Sequence, residues 1–186
     1  MSITREQAVA LLKEHVTADM LIKHSLATEA IMRSLAVKLG HNADKWGITG
    51  LLHDLDFEQT KDTPDQHALL AEKWLREAGC DQDMIQAVKA HNAEALGMER
   101  RSELDLALTA AETMTGMVVT TALVYPDKKL ASVKTKSITK RMKEKSFAQA
   151  VNRDHILLCE KLGITLPDFA ELSLKAMTEI AEELGL

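Results

Sequence analysis

Six polar side chains stand where helical periodicity asks for apolar ones. His24 is flanked by Leu21, Ala27 and Ile31, and His53 and Asp54 close an apolar stretch. His67 shares a face with Leu70, Ala71 and Trp74, His91 follows Val88 by one turn, and Glu112 follows Leu108 by one turn. Burying an unpaired ionised group costs several kcal/mol, so such groups need partners. The simplest common partner for several imidazoles and carboxylates is a divalent cation. Taken singly, a histidine on an apolar face is more often bonded to a backbone carbonyl than to a metal, by roughly three to one. His15, His41 and His155 stay in that class, because nothing apolar or acidic converges on them. The joint pattern of four histidines and two carboxylates turned inward from separate helices is what points to a metal centre.

Other chemistries can be tested by spelling. No histidine has a glutamate three residues before it, which removes the Glu-x-x-His signature of carboxylate-bridged di-iron bundles. There is no His-Glu-x-x-His, no Gly-x-Ser-x-Gly and no Gly-x-x-x-x-Gly-Lys. Asp54-x-Asp56-x-Glu58 begins like a calcium loop, but Gln59 stands where that loop needs glycine.

The elements that must position these side chains read as helices almost throughout. Thr4 and Gln7 form a capping box ahead of Val9, Leu12 and Val16. A second helix is predicted over 19–39, ended by Gly40, and a third follows Asn42 and runs through Trp46, Ile48, Leu51 and Leu52 towards His53. DFEQTKDT has no period and reads as a loop. Thr63-Pro64-Asp65-Gln66 predicts a helix start, with the helix running to Gly79. Asp81 caps a short helix through Met84, Ile85, Val88 and His91, and Ser102 opens a long one that stops before Pro126. After a basic segment, Ser146 with Gln149 predicts a further helix, and Leu166-Pro167-Asp168 opens the last. Strand candidates, internal repeats and linkers are missing, so the expected architecture is all-α, a single compact multi-helix domain over 1–186.

Composition agrees. The 186 residues are 46% hydrophobic and 27% charged, the balance of a globular chain with a sizeable core. Only 3% are aromatic and three are proline, which argues against a sandwich or barrel. No apolar run approaches the ~18 residues of a membrane span, and the start MSITREQA lacks a signal-peptide stretch. Cys80 and Cys159 are isolated, so a cytoplasmic location is the simplest expectation. A net charge of −5 argues against general nucleic-acid binding.

In this order and on helices, the residues resemble the HD superfamily of metal-dependent phosphohydrolases. His24 in KHSLATEA matches the early histidine and His53-Asp54 in LLHDLD the doublet. His67 in DQHALLAEKW and His91 in VKAHNAE match the extra histidines of branches that hold two ions. The ending EIAEELGL is similar to that of a branch known only as HD-domain proteins. The resemblance implies an HD-type helical domain in which His24, His53, Asp54 and Glu112 hold one ion. His67 and His91 help hold a second, with Asp54 bridging. Mixed imidazole and carboxylate donors suit manganese, iron, nickel, cobalt or zinc, with magnesium admissible, better than calcium. Such an ion can bring the pKa of its bound water to about 7 and so supply a hydroxide for attack on a phosphoester. The implied substrate is a nucleotide or related small phosphorylated molecule. The alternative implied by the same fold is a non-catalytic module that binds a metal or senses a nucleotide.

Two departures from the family pattern stand out. Its last ligand is usually aspartate, whereas this chain has Glu112; the extra methylene displaces the carboxylate by roughly an ångström against a tolerance of ~0.2 Å. Asp105, two turns earlier, is the substitute candidate. Some nucleotidase relatives carry an acid three positions after the doublet's aspartate, where this chain has Phe57. Asp56 and Glu58 flank it and read either as catalytic groups beside Asp54 or, slightly favoured, as caps of the loop. Gly47 and Gly50 before the doublet and Gly116 after Glu112 read first as close helix packing, second as room for a ligand. Residues 128–145 hold eight basic residues against the single acid Glu144. Most of these read as a solvated face, with Lys134, Lys136 and Lys140, backed by Arg153, as candidate substrate-binding groups that clamp phosphate. Aromatic side chains for stacking on nucleic acid are scarce there. The sequence sets no oligomeric state.

Overall fold

The computed structural model describes residues 3–186; Met1 and Ser2, the first residues of the start MSITREQA and of the expected 1–186 domain, lie outside the described residues. Among the described residues there are helices and turns and no strand. In chain order the α-helices are α1 (Arg5–His15), α2 (Asp19–Leu39), α3 (Ala43–Leu51), α4 (Phe57–Thr60), α5 (Leu69–Glu77), α6 (Gln82–His91) and α7 (Ala93–Leu96). They continue with α8 (Glu103–Leu123), α9 (Thr135–Met142), α10 (Arg153–Ile156), α11 (Leu166–Glu179) and α12 (Ala181–Leu184). Two 3₁₀ turns, Leu130–Ser132 and Leu157–Leu162, complete it.

Local signals set several helix ends. Thr4 and Gln7 make the expected capping box on α1, and Ser102 with Asp105 makes another on α8. Asn42 caps α3 and Gly40 ends α2 at φ 78°, a left-handed conformation that favours glycine. Three stretches differ from the sequence reading. DFEQTKDT contains α4. Residues 63–68 form turns rather than the first turns of a helix, and α5 starts only after Ala68, which sits at φ 73°. The cause is Asp56: its carboxylate takes the Ala71 N–H and the His67 ring, and so decides where α5 begins. The basic segment carries α9, whereas 146–150 is a turn region instead of a helix. Asp81 makes no side-chain cap; its carboxylate pairs with Lys45.

The core is one hydrophobic cluster organised around α8, which packs on α2, α6, α10 and α11. By length and composition α8 would pass for a membrane span, contrary to the reading of no such run. Here 67% of its most apolar window is buried against other helices. α2 and α3 pack most closely, and glycine permits it. A Cβ on Gly50 would sit 3.0 Å from the Thr28 carbonyl oxygen, and one on Gly47 would fall 2.6 Å from Arg33 Cγ. Arg33 crosses Gly47 to reach Glu29 and Asp44, and the buried Glu29 also takes a two-pronged bond from Arg5 that ties α1 to α2. These glycines therefore serve helix packing, the first of the two readings. Cys80 and Cys159 are buried free thiols, their pKa values pushed up by burial to about 11 and about 12.

Candidate metal centre

The apolar run around the doublet fixes its place. Leu51, Leu52 and Leu55 are fully buried, and the tight turns after α3 leave His53 buried between them with Asp54 beside it. α2 delivers His24, the last residue of α6 is His91, and the turn before α5 delivers His67.

The four imidazoles converge through Nε2. His24 Nε2 lies 3.1 Å from His53 Nε2, and His67 Nε2 lies 2.9 Å from His91 Nε2. Asp54 stands between the pairs: Oδ2 is 3.4 Å from His53 and 3.7 Å from His24, and Oδ1 is 3.3 Å from His67 and 3.4 Å from His91. Two groups able to hold an ion result, His24–His53–Asp54 and Asp54–His67–His91, sharing Asp54.

Each ring's other nitrogen explains why Nε2 is the free one. His53 Nδ1 donates to the Gly50 carbonyl at 2.8 Å, His91 Nδ1 to the Val88 carbonyl, and His67 Nδ1 to Asp56 Oδ1 at 2.8 Å. The Thr115 hydroxyl gives its proton to the Glu112 carbonyl, so its oxygen accepts from His24 Nδ1 at 2.9 Å. Acceptors on Nδ1 place the ring proton there and leave the Nε2 lone pair for an ion. Lone pairs about 3 Å apart repel unless a cation sits near them, so this donor set fits a divalent metal and, without one, gathers protons. Burial works against charge on His67, but bonds to Asp54 and Asp56 raise it to about 9. Burial, then His53, lowers His24 to about 4. Burial opposes ionisation of Asp54 too, yet His53, His67 and His91 hold it well below the usual carboxylate range.

The remaining expected site residues fall outside this pair of groups. Glu112 is next to the cluster but in neither group: its carboxylate accepts from the Thr113 hydroxyl, and burial raises it to about 7. Asp105, its substitute, is spent on the α8 cap, accepting from the N–H groups of Arg101 and Ser102. Asp56 is fully buried and orients His67, so it supports the centre rather than touching a substrate. Glu58 is not at the centre: its carboxylate caps the N–H groups of Thr17 and Ala18 ahead of α2, which agrees with the loop-cap reading. Lys134, Lys136 and Lys140 are exposed on and before α9, with Lys140 near Glu144. Arg153 is no anion clamp, because its guanidinium is taken up by backbone carbonyls. His15 stacks on Trp74, His41 stacks on Trp46 and pairs with Glu103, and His155 pairs with Glu94.

Two supporting residues escaped the sequence reading. Thr115 orients His24, and Arg100 holds the His91 carbonyl at 3.1 Å while bonding Thr109 and, doubly, Glu94. Thr115 looks like any small residue of an apolar helix and Arg100 like part of a surface charge run.

Against known proteins, the HD domain family model matches residues 21–122, more than half of the chain and the whole stretch from His24 to Glu112. Ribonuclease Y of Fusobacterium nucleatum subsp. nucleatum is 30% identical over 73 residues, which are 39% of this chain and 14% of that protein. No solved structure matches. With its histidines and doublet gathered at one centre inside the matched stretch, the chain belongs to the HD domain family.

Proposed function

We propose that this protein is a metal-dependent phosphohydrolase that cleaves a phosphoester of a nucleotide or related small molecule. The observation that carries the reading is the pair of Nε2 clusters bridged by Asp54. His24, His53 and Asp54 would hold one ion, and Asp54, His67 and His91 a second. Ions there would supply a nucleophilic water at neutral pH and offset charge on the phosphoryl oxygens. Asp56, Thr115, and the Gly50 and Val88 carbonyls keep the four rings in the binding tautomer. Glu112, raised by burial to about 7, can hold or release a proton beside the cluster near neutral pH. Phe57, half-exposed, packs perpendicular to the His67 ring with centroids 5.6 Å apart and gives the centre an apolar rim. Cleavage of a phosphoester is also what the name of the matched ribonuclease denotes. A small substrate is favoured over RNA, because Phe147, the aromatic side chain just after the basic segment, is covered by Arg141.

The alternative, a non-catalytic metal or nucleotide module, draws on Glu112, which sits outside both ligand groups. Metal analysis, then assays of an aryl phosphate and a nucleotide panel with manganese, separate the two. The proposal expects bound metal and turnover, both lost in His53→Ala and Asp54→Ala. Full metal stoichiometry in either variant refutes the ligand assignment, and a loaded protein with no turnover supports the module.

A further inference from the structure

The loop between α9 and α10 is wound around one guanidinium. Arg153 Nη1 donates to the carbonyls of Ala148 at 2.6 Å and Val151 at 2.7 Å, and Nη2 donates to those of Glu144 at 3.3 Å and Phe147. A trans peptide points its N–H opposite to its carbonyl. Carbonyls of Glu144, Phe147, Ala148 and Val151 turned in on Arg153 therefore turn the N–H groups of Lys145, Ala148, Gln149 and Asn152 outward. Among the described residues none of these N–H groups, nor those of Ser146 and Ala150, has an acceptor in the chain. Ala148, at φ 43°, starts three successive unpartnered N–H groups, those of Ala148, Gln149 and Ala150. Successive outward N–H groups at a left-handed residue form an anion-binding concavity. Lys143 and Lys145 are exposed beside it, and among the described residues neither forms an ion pair, the nearby Glu144 being paired with Lys140 and Arg141.

This loop lies against the helix that carries Glu112. Val151 Cγ2 is 3.2 Å from where a Cβ on Gly116 would sit, one turn beyond Glu112 and next to Thr115, which holds His24. At its far end His155 reaches Glu94 at 3.1 Å, and Glu94 grips Arg100, which holds the His91 carbonyl. Val151 thus seats the end of the loop on α8 beside Thr115, and α10, which follows it, reaches the support of His91 through His155.

We infer that residues 143–152 form a phosphate-receiving loop, a second anion subsite beside the metal centre. It rests on the proposed hydrolase reading and narrows the substrate class to small molecules with more than one phosphoryl group, one at the centre and another in the loop. Arg153 is the positioning residue; the N–H groups, Lys143 and Lys145 make the contacts. Inorganic pyrophosphate is the probe, added to the ¹⁵N-labelled 186-residue chain, wild type and Asp54→Asn. The inference expects the amides of Lys145, Ala148, Gln149 and Ala150 to shift in both proteins. It expects binding about tenfold weaker in K143A/K145A, at unchanged metal content. Unmoved loop amides, or equal affinity in the double variant, overturn it. Hydrolysis with an unresponsive loop defeats this inference alone, whereas a responsive loop in a metal-loaded protein that hydrolyses nothing defeats the hydrolase reading. A single-stranded RNA oligonucleotide that moves the same amides at lower concentration than pyrophosphate overturns the small-molecule assignment.

Discussion

Two residues that touch no ion should each govern one half of the centre. Asp56 supports only His67, accepting its Nδ1–H at 2.8 Å, and Thr115 supports only His24, accepting at 2.9 Å. Removing such an orienting partner weakens metal binding by about 10- to 100-fold, equal to about 1.4 to 2.7 kcal/mol. Asp56→Asn should therefore loosen the ion held by Asp54, His67 and His91. Thr115→Val should loosen the ion held by His24, His53 and Asp54. Asp56 also accepts the Ala71 N–H at 2.9 Å, and one amide oxygen cannot serve both donors. Asp56→Asn should thus cost the fold about a further 1–3 kcal/mol, whereas Thr115→Val, which keeps shape and loses the bonds to the Glu112 carbonyl and His24 Nδ1, should cost about 1–2 kcal/mol. The assay is manganese stoichiometry by mass spectrometry after dialysis against stepped chelator. Wild type should show two occupancies, and each variant should lose a different one early, which single-site ligand variants such as His24→Ala and His91→Ala can assign. If both variants lost both ions together, or neither lost any, the division into two halves joined by Asp54 would be wrong.

Further outcomes follow from the same geometry. Asp54→Asn should remove both ions at once, read by the same dialysis, because among the described residues Asp54 alone lies within 4 Å of all four rings. In metal-free protein Glu112 is raised to about 7, so the native state binds its proton more tightly than the unfolded chain. Stability then falls as pH rises from about 4.5 to about 7, by up to about 3 kcal/mol, and Glu112→Gln should flatten that slope in urea titrations at pH 5 and 8. His67, raised to about 9, stabilises the metal-free fold below about pH 6.5, and this is lost as pH climbs through 9. Loading manganese at pH 7.5 in unbuffered solution should accordingly release a proton, and His67→Ala should diminish that release. Gly50→Ala sets a methyl against the Thr28 carbonyl and should destabilise by about 1–3 kcal/mol despite alanine's better helix propensity, measured by thermal unfolding.

Helices bounded by chemistry within a few residues were legible. Thr4–Gln7, Asn42, Gly40 and Ser102 act on neighbours in sequence, and the ends of α1, α2, α3 and α8 followed from them. Where the deciding group comes from elsewhere, local reading failed. Thr63-Pro64-Asp65-Gln66 has every sign of a helix start, yet Asp56 reaches forward fifteen residues to the Ala71 N–H and holds the intervening chain in turns. Ser146 and Gln149 look like a capping box, but Arg153 draws the carbonyls of that stretch inward, and a helix cannot form while they are so engaged.

The same distinction runs through the site. His24, His53, His67 and His91 were visible because an imidazole on an apolar stripe has no reason to be there without a partner, and they do meet at one centre. Thr115 was invisible because threonine is commonplace in α8: Thr109 and Thr121 each return a hydroxyl bond to the carbonyl one turn back. Thr115 bonds to the carbonyl three residues back instead, and that leaves its oxygen facing His24. Once all four Nδ1–H groups are committed, four Nε2 atoms and one carboxylate face one another in a buried volume. A fold that fixes its acceptors so firmly has given up the tautomers that would let it relax, so its resting state calls for positive charge at that point. Protons on His67 meet part of this demand, and two divalent ions would meet all of it.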